Sequence, residues 1–184
     1  MLPSSRRVVV ERTRKLVRVV ALGLLLLLAV YSFARFGRYR GLGAQVIRPG
    51  TEVQAFTLKG LDGKPFALGA SGRPALLVFW GASCPSCKVE LPGLQRVAEA
   101  WQGKVDVVTI SDDDPQALAL AASKLRLTLP VLVDGDGSVS RSLDVYTIPY
   151  NVLVGADRKV ITDFVGPPGE ARMKDWFDEV TRSM

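Results

Sequence analysis

Ala75-Leu-Leu-Val-Phe-Trp-Gly-Ala-Ser-Cys-Pro-Ser-Cys-Lys-Val-Glu-Leu-Pro92 is the stretch that decides the fold. Ala75–Trp80 is a continuous apolar run rich in strand formers, which suits a central parallel strand covered on both faces. After the turn Gly81-Ala-Ser, residues Leu91, Leu94, Ala98 and Trp101 fall at i, i+3, i+7 and i+10, the buried stripe of a helix. Pro85 fits the first helical position, where a missing N–H is no loss. Pro92 falls inside the helix and is expected to kink it, since it offers no N–H to the carbonyl four residues back.

Both cysteines of the 184-residue chain, Cys84 and Cys87, lie at the start of this helix. Free backbone N–H groups and the helix dipole favour an anion there, so the Cys84 thiolate should form more readily than that of a free thiol, whose pKa is about 8.5. Cys87, one turn further in, can attack a mixed disulfide on Cys84; the pattern predicts Cys84 as nucleophile and Cys87 as resolving thiol, buried against Phe79 and Leu91. A purely structural disulfide would close a tiny loop and gain little chain entropy. A metal clip would need two further soft ligands from elsewhere. The chain has no His, which excludes a Ser-His-Asp hydrolase, a Cys-His protease and a His-ligated zinc or haem centre within it. No glycine-rich phosphate loop is present.

Outward from the dithiol, 54–59 and 65–68 alternate around Gly60, Asp62 and Gly63 and predict a hairpin. Strands are predicted at 105–110 and 129–133, with a helix at 115–125 between them. Asp112, Asp113 and Asp114 read as its start on a solvated edge. Asp134-Gly-Asp-Gly137 reads as a turn, because a calcium loop would need a later bidentate acid. A short helix at 139–143, a hairpin of 151–154 with 160–164, and a helix over 170–183 with Met173, Trp176, Phe177 and Val180 on one face complete the domain. This order is α/β, with a sheet between helices.

The motif Val78–Pro92 resembles the active-site signature of the TlpA/ResA-like branch of the thioredoxin superfamily, membrane-tethered thiol:disulfide oxidoreductases. The resemblance covers 49–184 and implies a thioredoxin-like fold: a central mixed sheet flanked by helices, an N-terminal hairpin, and an inserted helix and strand at 115–133. Thr147-Ile-Pro149 resembles the family's cis-proline loop, which implies a cis Pro149 facing Cys84 and an Ile148 backbone that pairs with substrate. Trp80 joins Ile148 and Pro149 as an implied substrate-binding residue, and Glu90 falls where an acidic catalytic residue near the dithiol is often kept. Three departures stand out: Val78 where thioredoxin keeps a buried Asp, Ser83 where a Trp commonly precedes the first cysteine, and Tyr150-Asn151 where a small Thr-rich pair is usual. The cysteine pair carries the electrons, so no cofactor and no metal are implied. The implied partners are exported proteins with thiols or disulfides and a membrane thiol electron donor; apocytochrome c reduction and maturation of one dedicated exported enzyme both remain open. A copper chaperone on this fold would usually carry Cys-x-x-x-Cys and a distant His. A thiol peroxidase would need Thr or Ser three residues before its cysteine, where Gly81 stands.

The formal charge of +6 belongs to the N-terminal arm. Residues 1–40 hold nine of the 24 Lys and Arg against the single acid Glu11, whereas 41–184 hold fifteen against seventeen acids. A nucleic-acid partner is therefore not expected. Val19–Ala34 are sixteen uncharged residues, about 24 Å of helix against a hydrocarbon core of ~30 Å. Arg18 and Arg35 can extend to the two interfaces. The reading is a basic tail at 1–18 in the cytoplasm, a single-pass inner-membrane anchor at 19–36, a tether at 37–48 and a periplasmic domain at 49–184; six basic residues before the segment and three after it set the orientation. A cleaved secretory signal is the alternative and exports the same domain.

Overall fold

Strand β3 (Ala75–Phe79) is buried at every position because it is the middle of a seven-stranded mixed sheet. The computed structural model describes residues 47–182 together with 14, 17, 18, 20–28 and 31. Along the chain β1 (Thr57–Gly60) and β2 (Pro65–Ala67) precede β3, and α1 (Pro85–Ala100), β4 (Asp106–Ser111), α2 (Pro115–Leu125) and β5 (Val131–Val133) follow it. The chain then forms α3 (Ser138–Ser142), β6 (Tyr150–Val154), β7 (Val160–Val165) and α4 (Glu170–Arg182). The sheet order is β2-β1-β5-β4-β3-β6-β7; β3, β4 and β5 run parallel and the remaining pairs antiparallel. This is the thioredoxin-like α/β arrangement, with the expected hairpin and helix–strand insertion in place.

The period-2 geometry of β3 sorts its side chains between two cores. Leu76 and Val78, followed by Trp80, pack with Cys87, Leu91 and Leu94 of α1, Leu118 of α2, and Met173 and Phe177 of α4. Ala75, Leu77 and Phe79 pack on the opposite face with Val53, Val139, Leu143 and Tyr150. The expectation that Phe79 shields Cys87 is thus corrected: Phe79 has the wrong parity, and Val78 and Trp80 occupy that side. The expected sheet between helices is also refined. Helices α1, α2 and α4 share one face, while the other is covered by the short α3 and by residues of the segment before β3, including Val53 and Phe56. Complete burial of a Leu or Val side chain contributes about 1.5–3 kcal/mol, so Leu76, Leu77 and Val78, each with no exposed surface, anchor the strand under the dithiol loop.

Helix α1 continues through Pro92. Strand β5 begins two residues later than expected: Pro130 has no N–H for the ladder, while its carbonyl accepts both the backbone N–H and the hydroxyl of Thr109. Asp134 confirms the turn reading: fully buried, it accepts the Val139 and Ser140 N–H groups and the Ser140 hydroxyl, fixing the start of α3.

Residues 1–41 form a separate unit. Within it residues 20–28 are helical with exposed side chains. Among the described residues no helix is long and apolar enough to cross a membrane; most of the tail 1–18 and of the tether 37–48, and part of the span 19–36, lie outside the described residues.

Candidate active site

Cys84 is the N-cap of α1, in an extended backbone conformation with Pro85 at the first helical position and no acidic side chain in the first turn. No carboxylate of the helix's own first turn opposes the positive end of its dipole at the sulfur. The Cys84 Sγ accepts a hydrogen bond from the Cys87 N–H at 3.2 Å and lies 3.4 Å from the Ser86 hydroxyl. Cys84 and Cys87 are joined in a disulfide, with Cα atoms 5.4 Å apart. Cys84 is half-buried, whereas Cys87 has no exposed surface. An incoming sulfur can therefore reach Cys84 and not Cys87.

Three polar side chains, those of Glu90, Asn151 and Trp80, are buried within the apolar core. Glu90 shares the buried face of α1 with Cys87, Leu91 and Leu94, and is 5 % exposed. Asn151 of β6 pairs with Val78 of β3, which places the two side chains on the same, α1-facing side of the sheet. Neither Glu90 oxygen, nor Asn151 Oδ1, nor the Trp80 indole nitrogen has a hydrogen-bond partner, while the Asn151 amide donates to the Gly166 carbonyl at 3.3 Å. Loss of hydration pushes the Glu90 carboxyl up from 4.5 to about 7, with the Asn151 side chain as the single opposing influence. A carboxyl poised near neutrality can hold or release a proton beside the dithiol. Strand β3 carries Val78 and no acid, and Glu90 brings a carboxyl from the helix instead.

The remaining residues singled out from the sequence divide. The Ile148–Pro149 bond is cis, as the resemblance implied, and Pro149 is buried while Ile148 is 40 % exposed. Ile148 Cδ1 lies 2.9 Å from the position a Cβ on Gly81 would occupy, and Cys84 Cβ lies 3.9 Å from the same point, so the loop faces the dithiol and Gly81 has no space for a side chain. Trp80 is corrected: at 2 % exposure it belongs to the core cluster of Cys87, Leu91 and Leu94 and presents almost no surface to a substrate. Tyr150 and Asn151 point to opposite sides of the sheet. Tyr150 stacks near Phe79 with ring centroids 6.3 Å apart and donates its hydroxyl to buried Asp163, which also accepts the Ile47 N–H; burial and that carboxylate raise its pKa.

Two site residues escaped the sequence reading. Asn151 was visible only as an unusual residue after the cis-proline. Asp113 was one of three aspartates assigned to a solvated helix start, yet only Asp114 caps α2, accepting the Gln116 and Ala117 N–H groups. Asp113 turns back to the dithiol loop and accepts the Ala82 N–H at 2.7 Å.

Residues 49–162 match the AhpC/TSA family. The chain is similar to the sporulation thiol-disulfide oxidoreductase A of Bacillus subtilis, 27% identical over 129 residues covering 67% of this chain and 78% of the relative. It is also similar to the thiol-disulfide oxidoreductase ResA of Bacillus cereus, 25% identical over 176 residues covering 93% of this chain and 99% of the relative. Among solved structures, a secreted Mycobacterium tuberculosis disulfide oxidoreductase homologous to Escherichia coli DsbE superposes with a TM-score of 0.60 at 31% identity, covering 67% of this chain and 95% of that one. The chain belongs to the AhpC/TSA family, and on a thioredoxin-like fold with one cysteine pair it is a thiol:disulfide oxidoreductase.

Proposed function

We propose that the protein reduces disulfides in exported proteins from a membrane-anchored position, with Cys84 as nucleophile, Cys87 as resolving thiol and Glu90 as the group that handles the proton. The observation that carries this reading is the pairing of a reachable Cys84 at a helix N-terminus with a fully buried Cys87 above a buried carboxyl of pKa about 7. In the reduced protein the Cys84 thiolate attacks one sulfur of a substrate disulfide. The substrate S–S bond breaks, a Cys84–substrate bond forms, and the released sulfur takes up a proton. Cys87 then loses its proton toward Glu90 and attacks Cys84 Sγ, releasing the second substrate thiol and leaving the Cys84–Cys87 disulfide. Two electrons pass from the cysteine pair to the substrate, and a dithiol donor in the membrane returns them.

The backbone of Ile148 makes no hydrogen bond within the chain among the described residues, which leaves its N–H and C=O available to an extended substrate segment. The anchor reading is supported by the basic excess of residues 1–40 and by helical residues 20–28, where Leu22 and Leu24–Leu28 expose their apolar side chains. The test is trapping in cells: the full chain with Cys87→Ser should accumulate exported proteins disulfide-bonded to Cys84, and their identity decides between apocytochrome c and a single dedicated enzyme. Recovery of cytoplasmic proteins alone would refute the assignment.

A further inference from the structure

The dithiol loop is held by a carboxylate from outside its own helix. Asp113, in the loop two residues past the end of β4, accepts the Ala82 N–H, and its Oδ2 lies 3.2 Å from the point where a Gly81 Cβ would stand, with Cys84 Cβ 3.9 Å from that same point. Its own N–H is held by the Ser111 hydroxyl at 3.2 Å, and Ser111 is buried at the end of the strand next to β3, so the carboxylate is delivered from a rigid base. Of the elements around Cys84, the β4–α2 loop brings Asp113, α1 brings buried Glu90 and exposed Lys88, and the loop before Pro149 brings the apolar Ile148.

We propose that Asp113 is a positioning residue that tunes the dithiol toward electron donation: it fixes the Gly81–Ala82 turn and places a negative charge on the same side of that turn as Cys84, disfavouring the thiolate and with it the reduced form. A helix N-terminus alone stabilises the thiolate and makes a cysteine pair oxidising; a like charge beside it acts in the opposite sense. The proposal rests on the assignment of Cys84 as the nucleophile.

The test uses the reduced full chain with Asp113→Asn, which keeps an oxygen to accept the Ala82 N–H and removes the charge. The rate of Cys84 alkylation against pH should give a thiol pKa lower by about one unit. At pH 7 the rate should rise no more than about threefold, because part of the thiol is already ionised and a less basic thiolate is a weaker nucleophile. The equilibrium with glutathione should move about tenfold toward the dithiol when measured above the thiol pKa, equivalent to ~30 mV for a two-electron couple, and by less as pH falls. That pH signature separates a charge effect from a structural one. The same shift should persist in a Glu90→Gln background, and Asp112→Asn, whose exposed carboxylate lies near Gly137, should leave both readouts in place. An unmoved pKa and potential in Asp113→Asn overturn the proposal, even if Asp113→Ala loosens the loop. Equal alkylation of Cys84 and Cys87 in the unaltered chain overturns the underlying assignment and the proposal together.

Discussion

Replacing Glu90 by Gln should stabilise the oxidised protein, and only above a definite pH. The Glu90 carboxyl titrates near 4.5 when hydrated and near 7 in the folded protein, because burial penalises its charged form. Below pH 4.5 it is neutral in both states and costs nothing. As pH rises from 4.5 to 7 the unfolded chain gains the hydration of an ionised carboxylate that the folded chain resists, so stability falls; above 7 the loss is complete. A shift of that size corresponds to about 3 kcal/mol at 1.36 kcal/mol per unit. Glutamine carries no charge, so Glu90→Gln should match the unaltered protein at pH 4 and exceed it by up to about 3 kcal/mol at pH 8. Urea unfolding of both oxidised proteins at a series of pH values measures this, and the difference between the two removes the titration of every other group. A difference that does not vary with pH would refute the burial argument, and a variant destabilised at every pH would show that the carboxylate has partners the structure lacks.

In the reduced protein at pH 7 a small alkylating agent should modify Cys84 at least about tenfold faster than Cys87, since only the Cys84 thiolate is both stabilised and reachable; mass spectrometry of the modified peptides reads the ratio. Leu91→Ala, which empties a fully buried position beside Cys87, should cost about 2–5 kcal/mol in urea unfolding; a cost near zero would mean that α1 does not pack on β3 as described. A reporter fused after Met184 should be active only outside the cytoplasm, following the basic excess before residue 19, and activity only inside would reverse the topology.

Period and punctuation made most of the fold legible. The apolar run at 75–80, the helical stripe from Leu91 to Trp101 and the face of Met173, Trp176, Phe177 and Val180 each correspond to an element in the structure. What failed was parity and partner choice. A strand buried on both faces has no polar alternation to reveal which side meets the helix, so the sequence alone does not show that Val78 and Trp80, and not Phe79, lie on the side of Cys87. Trp80, a substrate contact by the resemblance, is carried into the core by the same parity. Three consecutive aspartates look alike in sequence. Which one caps α2 and which one turns to Ala82 depends on the parallel pairing of β3 with β4, which sets Phe79 beside Ile110 and brings the two following loops together. Asn151 and Glu90 meet for a similar non-local reason, through the pairing of Val78 with Asn151.

The division of labour between the two cysteines is tested most directly with the purified, reduced full chain and a disulfide-bonded peptide. Cys87→Ser should accumulate a stable mixed disulfide through Cys84, visible by non-reducing gel and mass, while Cys84→Ser should form none. A mixed disulfide that forms through Cys87 in Cys84→Ser as readily as through Cys84 in Cys87→Ser would contradict the account.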